Sequence, residues 1–145
     1  MVSLAMCWAT PALATTWKNV TPPAKFVTYA KHARRHGMQA WYPRRIPTGY
    51  VIGTMRFGDT GGSGPYCDIV FKKGSRKIYF SQGTVVGADG DAPARIGTCQ
   101  WGASRADVYR ESITWYGSAN AFAGLSGSLS LADEKSMAKT MRKVP

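Results

Sequence analysis

The sequence predicts an α+β fold in which a curved antiparallel sheet of about five to seven strands carries an N-terminal and a C-terminal helix. Three observations support this class. Helical periodicity is confined to two segments near the ends of the chain, alternating apolar and polar runs fill the middle, and stretches rich in Gly or Ser separate those runs. Residues 15–145 have the usual length of one domain, so we expect a single core.

The first helix is predicted to begin at Thr21-Pro22-Pro23, which offers an N-cap residue followed by prolines suited to a first helical turn. A basic cluster just before Gly37 is typical of a helix C terminus. The apolar positions between these ends recur with helical spacing, so we expect one face to meet the core. They are Phe26, Tyr29, Ala30 and Ala33.

The middle of the chain predicts a meander of short strands. The turn Lys72-Lys73-Gly74-Ser75 predicts a hairpin between two of them. We expect strands at Tyr50 to Phe57, Tyr66 to Phe71, Lys77 to Gln82, Thr98 to Trp101, Ala106 to Arg110, Ser112 to Tyr116 and Ala119 to Leu125, with a weak strand or loop over Gly83 to Pro93. The inward rows are expected to be Val51, Gly53, Met55 and Phe57, then Cys67, Ile69 and Phe71, then Ile78 and Phe80.

The second helix is predicted from the capping box Ser130-Leu131-Ala132-Asp133 through Arg142. Its core-facing positions would be Met137, Ala138, Met141 and Val144. Between the first helix and the first strand, the segment Trp41 to Tyr50 contains two prolines four residues apart, which exclude a helix there.

Residues 1–14 resemble a signal peptide. They carry no charged side chain, contain an apolar run from Val2 to Ala9, and end in the small-x-small sequence Ala12-Leu13-Ala14. The basic residues that usually precede such a run are absent, which is consistent with a start further upstream. The apolar run is too short to span a bilayer, so we expect a secreted or cell-envelope protein with no transmembrane span.

Cysteine usage fits this compartment. Removal of residues 1–14 takes away Cys7 and leaves Cys67 and Cys99 as a pair, for which we expect a disulfide bond. Two buried free thiols are the alternative.

The chain is strongly basic, with 19 Lys and Arg against 8 Asp and Glu and a net charge of +11. Such a field attracts anionic polymers and phospholipid headgroups without a designed site. The basic residues are spread along the sequence and most aromatic residues are explained by core packing, so specific nucleic-acid binding is not expected.

No catalytic motif is present, and neither a metal site nor a cofactor is predicted. His32 and His36 have the i, i+4 spacing of two zinc ligands, but Ala33 stands where a zincin needs Glu, and no third ligand lies nearby in sequence. We therefore interpret them as part of a solvated basic helix end. A secreted hydrolase would need Glu111, His32 and Arg34 to meet in one cleft.

Several short motifs resemble the DUF4367 family of extracytoplasmic bacterial domains. They are Tyr42-Pro43, then Ile46-Pro47-Thr48-Gly49-Tyr50-Val51-Ile52, Ile113-Thr114-Trp115, and Leu125 to Leu131 leading into Ser136 to Met141. The resemblance covers residues 41 to 143. It implies a fold distantly similar to domains of the LolA and RseB type, in which a curved sheet and helices shelter an apolar groove.

We therefore expect a non-enzymatic, exported binding or sensor domain of the cell envelope. Its partner would be an apolar or anionic ligand or another envelope protein. A small secreted basic hydrolase acting on a phosphodiester or polysaccharide is the alternative. The residues expected to line either a ligand groove or the core are Trp41, Tyr50, Met55, Phe57, Phe71, Phe80 and Trp115.

Overall fold

A computed structural model describes residues 13–59, 64–84 and 93–145 and shows the expected α+β fold. Two helices pack against antiparallel strands. The elements in chain order are β1 (Trp17–Asn19), α1 (Ala24–Arg35), β2 (Ala40–Pro43), β3 (Arg45–Pro47), β4 (Val51–Asp59), β5 (Pro65–Lys73), β6 (Arg76–Thr84), β7 (Gly97–Trp101), β8 (Ser104–Val108), β9 (Ser112–Tyr116), β10 (Ala121–Gly127), α2 (Leu131–Lys139) and β11 (Met141–Val144). The predicted signal peptide lies almost wholly outside the described residues, as does most of the predicted loop from Gly83 to Pro93.

The main sheet has seven strands in the order β4-β5-β6-β10-β9-β8-β7, and every neighbouring pair is antiparallel. Its buried side chains form rows that run from strand to strand on one face. One such row is Ile69 opposite Phe80, then Leu125 opposite Phe80 and Ile113. Helix α1 packs over β5, while α2 packs over β7, β9 and β10. The core therefore lies between this inner face and the two helices.

Two short ribbons complete the fold and were not predicted. Strand β1 pairs with β3, and β2 pairs with β11. The buried side chain of Gln82 attaches β2 to β6, because its Oε1 accepts from the Trp41 N–H at 2.8 Å and its Nε2 donates to the Trp41 carbonyl at 2.9 Å. This satisfies a polar group that would otherwise be costly to bury.

The buried face of α1 is as predicted, but the start of α1 and the end of α2 are not. Helix α1 buries Phe26, Tyr29, Ala30 and Ala33. It begins at Ala24 with Pro23 in the N-cap position and no side-chain cap, so the cap predicted at Thr21 is wrong. In α2, Ser130 Oγ accepts from the Asp133 N–H, as the capping box predicts.

Helix α2 ends at Lys139 rather than at Arg142. Met141 and Val144 are buried as predicted, but they belong to β11. A spacing of three places both residues on one face of a helix but on opposite faces of a strand, so the pattern favoured a helix. Pairing with β2 supplies tertiary backbone hydrogen bonds that no local pattern reveals, and those bonds decide the outcome.

Strand β4 departs from the predicted inward row at its start, where Val51 and Ile52 exchange faces. A bulge between Ile52 and Thr54 shifts the register, so that Ile52 lies opposite Phe71 and Met55 lies opposite Ile69. Val51 lies opposite Lys72 and belongs to the outer face, contrary to prediction. A bulge adds one residue and therefore transfers the preceding part of a strand to the other face.

The predicted disulfide bond is wrong, because Cys67 and Cys99 are both free thiols. Cys67 lies on β5 and Cys99 on β7, which are five strand positions apart in the sheet. Each position adds about 4.8 Å, whereas a disulfide needs Cα atoms within about 7 Å. Sequence separation and cysteine parity carry no information on strand order.

Candidate functional site

A groove lies between α1 and the edge strand β4 and is here called the α1–β4 groove. Its volume is about 650 Å³, within the range of sites that hold small ligands. It arises because α1 lies over β5 and leaves the inner face of β4 partly uncovered. Its lining residues are Lys25, Thr28, Tyr29, Lys31, His32, Arg35, Phe57, Gly58, Asp59 and Pro65.

The floor of the groove is apolar and aromatic. The rings of Tyr29 and Phe57 lie with their centroids 5.6 Å apart at an angle of 32°, and Pro65 lies beside them. Tyr29 is buried, whereas Phe57 keeps 36% of its surface exposed. Phe57 lies opposite Cys67, so its side chain is on the inner face of the sheet. A large apolar ring exposed on a concave face is typical of a binding surface.

The rim on the α1 side is basic. Lys25, Lys31 and Arg35 are exposed on α1 and line the groove. Among the described lining residues Asp59 is the one carboxylate, and its Oδ2 lies 3.7 Å from Nε2 of His32. An anionic group at this rim would therefore meet three cations, while the acidic side chain is already paired.

The environment of Tyr29 keeps its hydroxyl neutral. Burial is the main cause that raises its pKa, and the nearby Cys67 and Asp68 add to the shift. The pKa of the Cys67 thiol is also raised, mainly by burial and further by Asp68. Neither group is ionised at neutral pH, so Tyr29 and Cys67 add no charge to the floor of the groove.

Beside the groove, α1 and the end of β4 bring together two histidines and a carboxylate, here called the His32 cluster. Its members are His32, His36 and Asp59, and one ligand atom from each lies within 4.8 Å of the other two. The rings of His32 and His36 meet edge to face at 4.6 Å. Asp59 is the residue that sequence reasoning missed, since no local spacing connects it to α1. All three side chains are exposed.

The residues predicted to line a groove or the core divide between the two. Trp41, Tyr50, Phe71 and Phe80 are at most 2% exposed and belong to the core. Met55 and Trp115 are half-buried and pack against the core. Phe57 is the member that lies in the α1–β4 groove. The sequence pattern marked these residues as apolar, but which of them the helices cover is a property of the tertiary packing.

A second cavity of about 490 Å³ lies where the turn between β7 and β8 meets β11. Trp41 lines it together with four cations, which are Arg44, Lys139, Arg142 and Lys143. Among the described residues, Trp41 Nε1 and Arg142 Nε are buried without a hydrogen-bond partner. This cavity is basic like the rim of the groove, but it has no exposed aromatic floor.

The structure does not assemble the predicted hydrolase cleft. His32 lines the α1–β4 groove, whereas Arg34 lines different cavities, next to Met38 and Gln39. Glu111 lies exposed in the turn between β8 and β9 and lines none of the described cavities. A general acid and base must reach the same bond, and these side chains do not share a site.

Together these features define an α+β protein with an open apolar groove under a basic rim. No protein-family model and no curated protein matches the chain, so membership of the DUF4367 family stays a prediction. Among solved structures, the chain is similar to one in the complex of MucA and MucB from Pseudomonas aeruginosa, with 12% sequence identity and a TM-score of 0.43. The match covers 73% of this chain and 35% of the solved chain. A likeness this distant carries no functional argument.

Neither α1 nor α2 is long and apolar enough to cross a membrane, and they are the two helices of the described residues.

Proposed function

We propose that this protein is an exported, non-enzymatic binding domain of the cell envelope that holds an anionic amphiphile in the α1–β4 groove. The observation that carries the proposal is the exposed ring of Phe57 on the groove floor, placed directly under a rim with three cations. An acyl chain would cover Phe57 and Tyr29, while its acidic headgroup would meet Lys25, Lys31 and Arg35. The signal-like segment at residues 1–14 supports export.

The aromatic floor and the basic rim of the groove contribute differently to binding. Covering apolar surface contributes about 0.8 kcal/mol for each buried methylene group, so most of the affinity comes from the chain on the aromatic floor. The exposed cations attract the headgroup electrostatically. Salt screens this attraction, so the cations contribute less to the affinity at high ionic strength. A neutral amphiphile of the same chain length should therefore bind more weakly at low salt.

The test is a calorimetric titration of the full chain with dodecyl phosphate, kept below its micellar concentration, with dodecanol as the uncharged comparison. We expect Phe57→Ala to weaken dodecyl phosphate binding at least tenfold, or about 1.4 kcal/mol, because Phe57 is the aromatic anchor of the proposed site. The matched control is Tyr79→Ala, since Tyr79 is 44% exposed on the opposite face of the sheet. Equal affinities for the two variants would contradict the proposal.

The rim is tested separately with Lys31→Ala and Arg35→Ala combined. This variant should lose affinity at low salt and bind with a smaller salt dependence, because fewer cations then attract the headgroup. Lys72→Ala combined with Lys77→Ala removes the same charge from an exposed cross-strand pair outside the groove. If both double variants lose the same affinity, the field of the whole molecule rather than the groove rim binds the headgroup.

A further inference from the structure

One side chain of α1, its C-cap residue and the last residue of β4 form an arrangement that a basic helix end does not explain. His32 and His36 lie one helical turn apart, and Asp59, the last residue of β4, faces them across the mouth of the groove. We propose that the His32 cluster binds a divalent transition-metal ion of the zinc class. This inference is independent of any amphiphile in the α1–β4 groove.

The donor set has the right chemistry. Two imidazole nitrogens and one carboxylate oxygen are ligands that Zn²⁺ and its neighbours Co²⁺, Ni²⁺ and Cu²⁺ accept, and three protein ligands leave a fourth position open. Ligand atoms about 2.0 Å from a tetrahedral ion lie about 3.3 Å from each other. The atoms of the cluster lie within 4.8 Å, and His32 Nε2 is 3.7 Å from Asp59 Oδ2, so small side-chain rotations suffice.

The contact that His36 makes through Nδ1 suits a side chain that binds a metal ion through Nε2. Its Nδ1 lies 3.1 Å from the carbonyl oxygen of His32, which can only accept a hydrogen bond. In the neutral ring this contact places the proton on Nδ1 and leaves the lone pair on Nε2. Ligating histidines commonly donate their second ring N–H to such an oxygen, which also fixes the orientation of the ring.

A simple ion pair accounts for only part of this arrangement. An attraction between His32 and Asp59 explains their separation, but it does not involve His36, whose ring packs edge to face on His32. Protonated histidines at this spacing would repel each other, whereas a shared metal ion holds both rings. The neighbouring cations Lys31 and Arg35 lower the affinity for a cation and are exposed long side chains that can turn away.

The experiment is a calorimetric titration of the untagged full chain with ZnCl₂, with no amphiphile present. We expect one ion per chain. His36→Ala and Asp59→Asn should each weaken binding at least tenfold, and both positions are exposed, so unchanged circular dichroism should confirm the fold. The matched control is Glu111→Gln, an exposed carboxylate outside the cluster, which should bind as the wild type does. Affinity within twofold of wild type in His36→Ala would overturn the proposal.

Thiol ligation is distinguished with CoCl₂, whose visible spectrum differs for sulfur and for nitrogen or oxygen ligands. Cys99 is the half-buried thiol and Cys67 the buried one. Cys99→Ser should keep both the affinity and the cobalt spectrum of the wild type. Loss of binding in Cys99→Ser would assign the ion to a different site and contradict the proposal. Because the titration needs no amphiphile, its failure would leave the proposed function of the groove untouched.

Discussion

At the scale of single residues, Glu134 shows how burial changes the chemistry of a side chain. It lies on α2 with 4% of its surface exposed, and burial raises its pKa from 4.5 to about 7. The folded protein therefore binds a proton more tightly at this carboxyl than the unfolded chain does. Stability from this group is highest below pH 4.5, falls between pH 4.5 and about pH 7, and is constant above that range.

Glu134→Gln should remove this loss of stability. We expect the variant to be more stable than the wild type at pH 8 by about 1–2 kcal/mol, a value reduced for partial solvent screening, and to differ little at pH 4. Urea unfolding at both pH values measures the difference. Glu111→Gln, at an exposed carboxylate, is the matched control and should change the stability by less than about 0.5 kcal/mol. A benefit of equal size at both pH values would show that the charge of Glu134 is not the cause.

Gln82 is a second residue whose role follows from burial. It is 2% exposed, and its amide makes both hydrogen bonds to the backbone of Trp41. Gln82→Met keeps the volume but leaves the Trp41 N–H and carbonyl without these partners, which should lower the free energy of unfolding by about 2–4 kcal/mol. Gln100→Met on the exposed part of β7 should stay within about 0.5 kcal/mol of wild type. Equal effects of the two substitutions in a denaturant titration would contradict this role.

At the scale of elements, the contact between the β7–β8 turn and β11 requires a glycine. Gly102 has φ +55°, and a Cβ atom there would meet the backbone carbonyl oxygen of Met141. Gly102→Ala should therefore destabilise the fold by about 1–3 kcal/mol through strain and the displacement of β11. Gly97→Ala is the matched control, because nothing lies within 4 Å of its added Cβ. Thermal unfolding of both variants tests this prediction. Equal melting temperatures would contradict it, because β11 would then move away from the added Cβ atom with no loss of stability.

The elements also show which parts of this fold are readable from sequence. The face of α1, the cap of α2 and the hairpin of β5 and β6 depend on local spacing, and the structure has them as expected. Strand β11 and the bulge of β4 depend on partners distant in sequence, and local patterns gave the wrong answer for both. The same limit applies to the candidate sites, because the packing of α1 on β5 is what brings His32 close to Asp59.

At the scale of the whole molecule, the strand order decides the state of the thiols. Cys67 and Cys99 are free and lie on strands five positions apart. Mass spectrometry of the folded protein should show no gain of 2 Da on reduction. Under native conditions a thiol reagent should modify Cys99 faster than Cys67, because burial raises the pKa of both thiols but Cys67 is the more deeply buried. Equal rates would contradict the position of Cys67 in the core.

The distribution of charge and apolar surface over the whole molecule supports a binding role. A net charge of +11 attracts anions to every face, and in the α1–β4 groove three of the cations adjoin an exposed aromatic ring on a concave surface. The cavity at Trp41 is basic but lacks such a floor. Under the proposal, attraction of anions is general, whereas an amphiphile is held in the α1–β4 groove.

The most direct test of this account is a map of backbone amide shifts in the ¹⁵N-labelled protein during titration with dodecyl phosphate. The account predicts saturable shifts concentrated in α1 from Lys25 to Arg35 and in β4 from Phe57 to Asp59, with little change on the outer face around Tyr79. Shifts concentrated around Trp41 and Arg142, or spread evenly over the basic surface, would contradict binding in the α1–β4 groove.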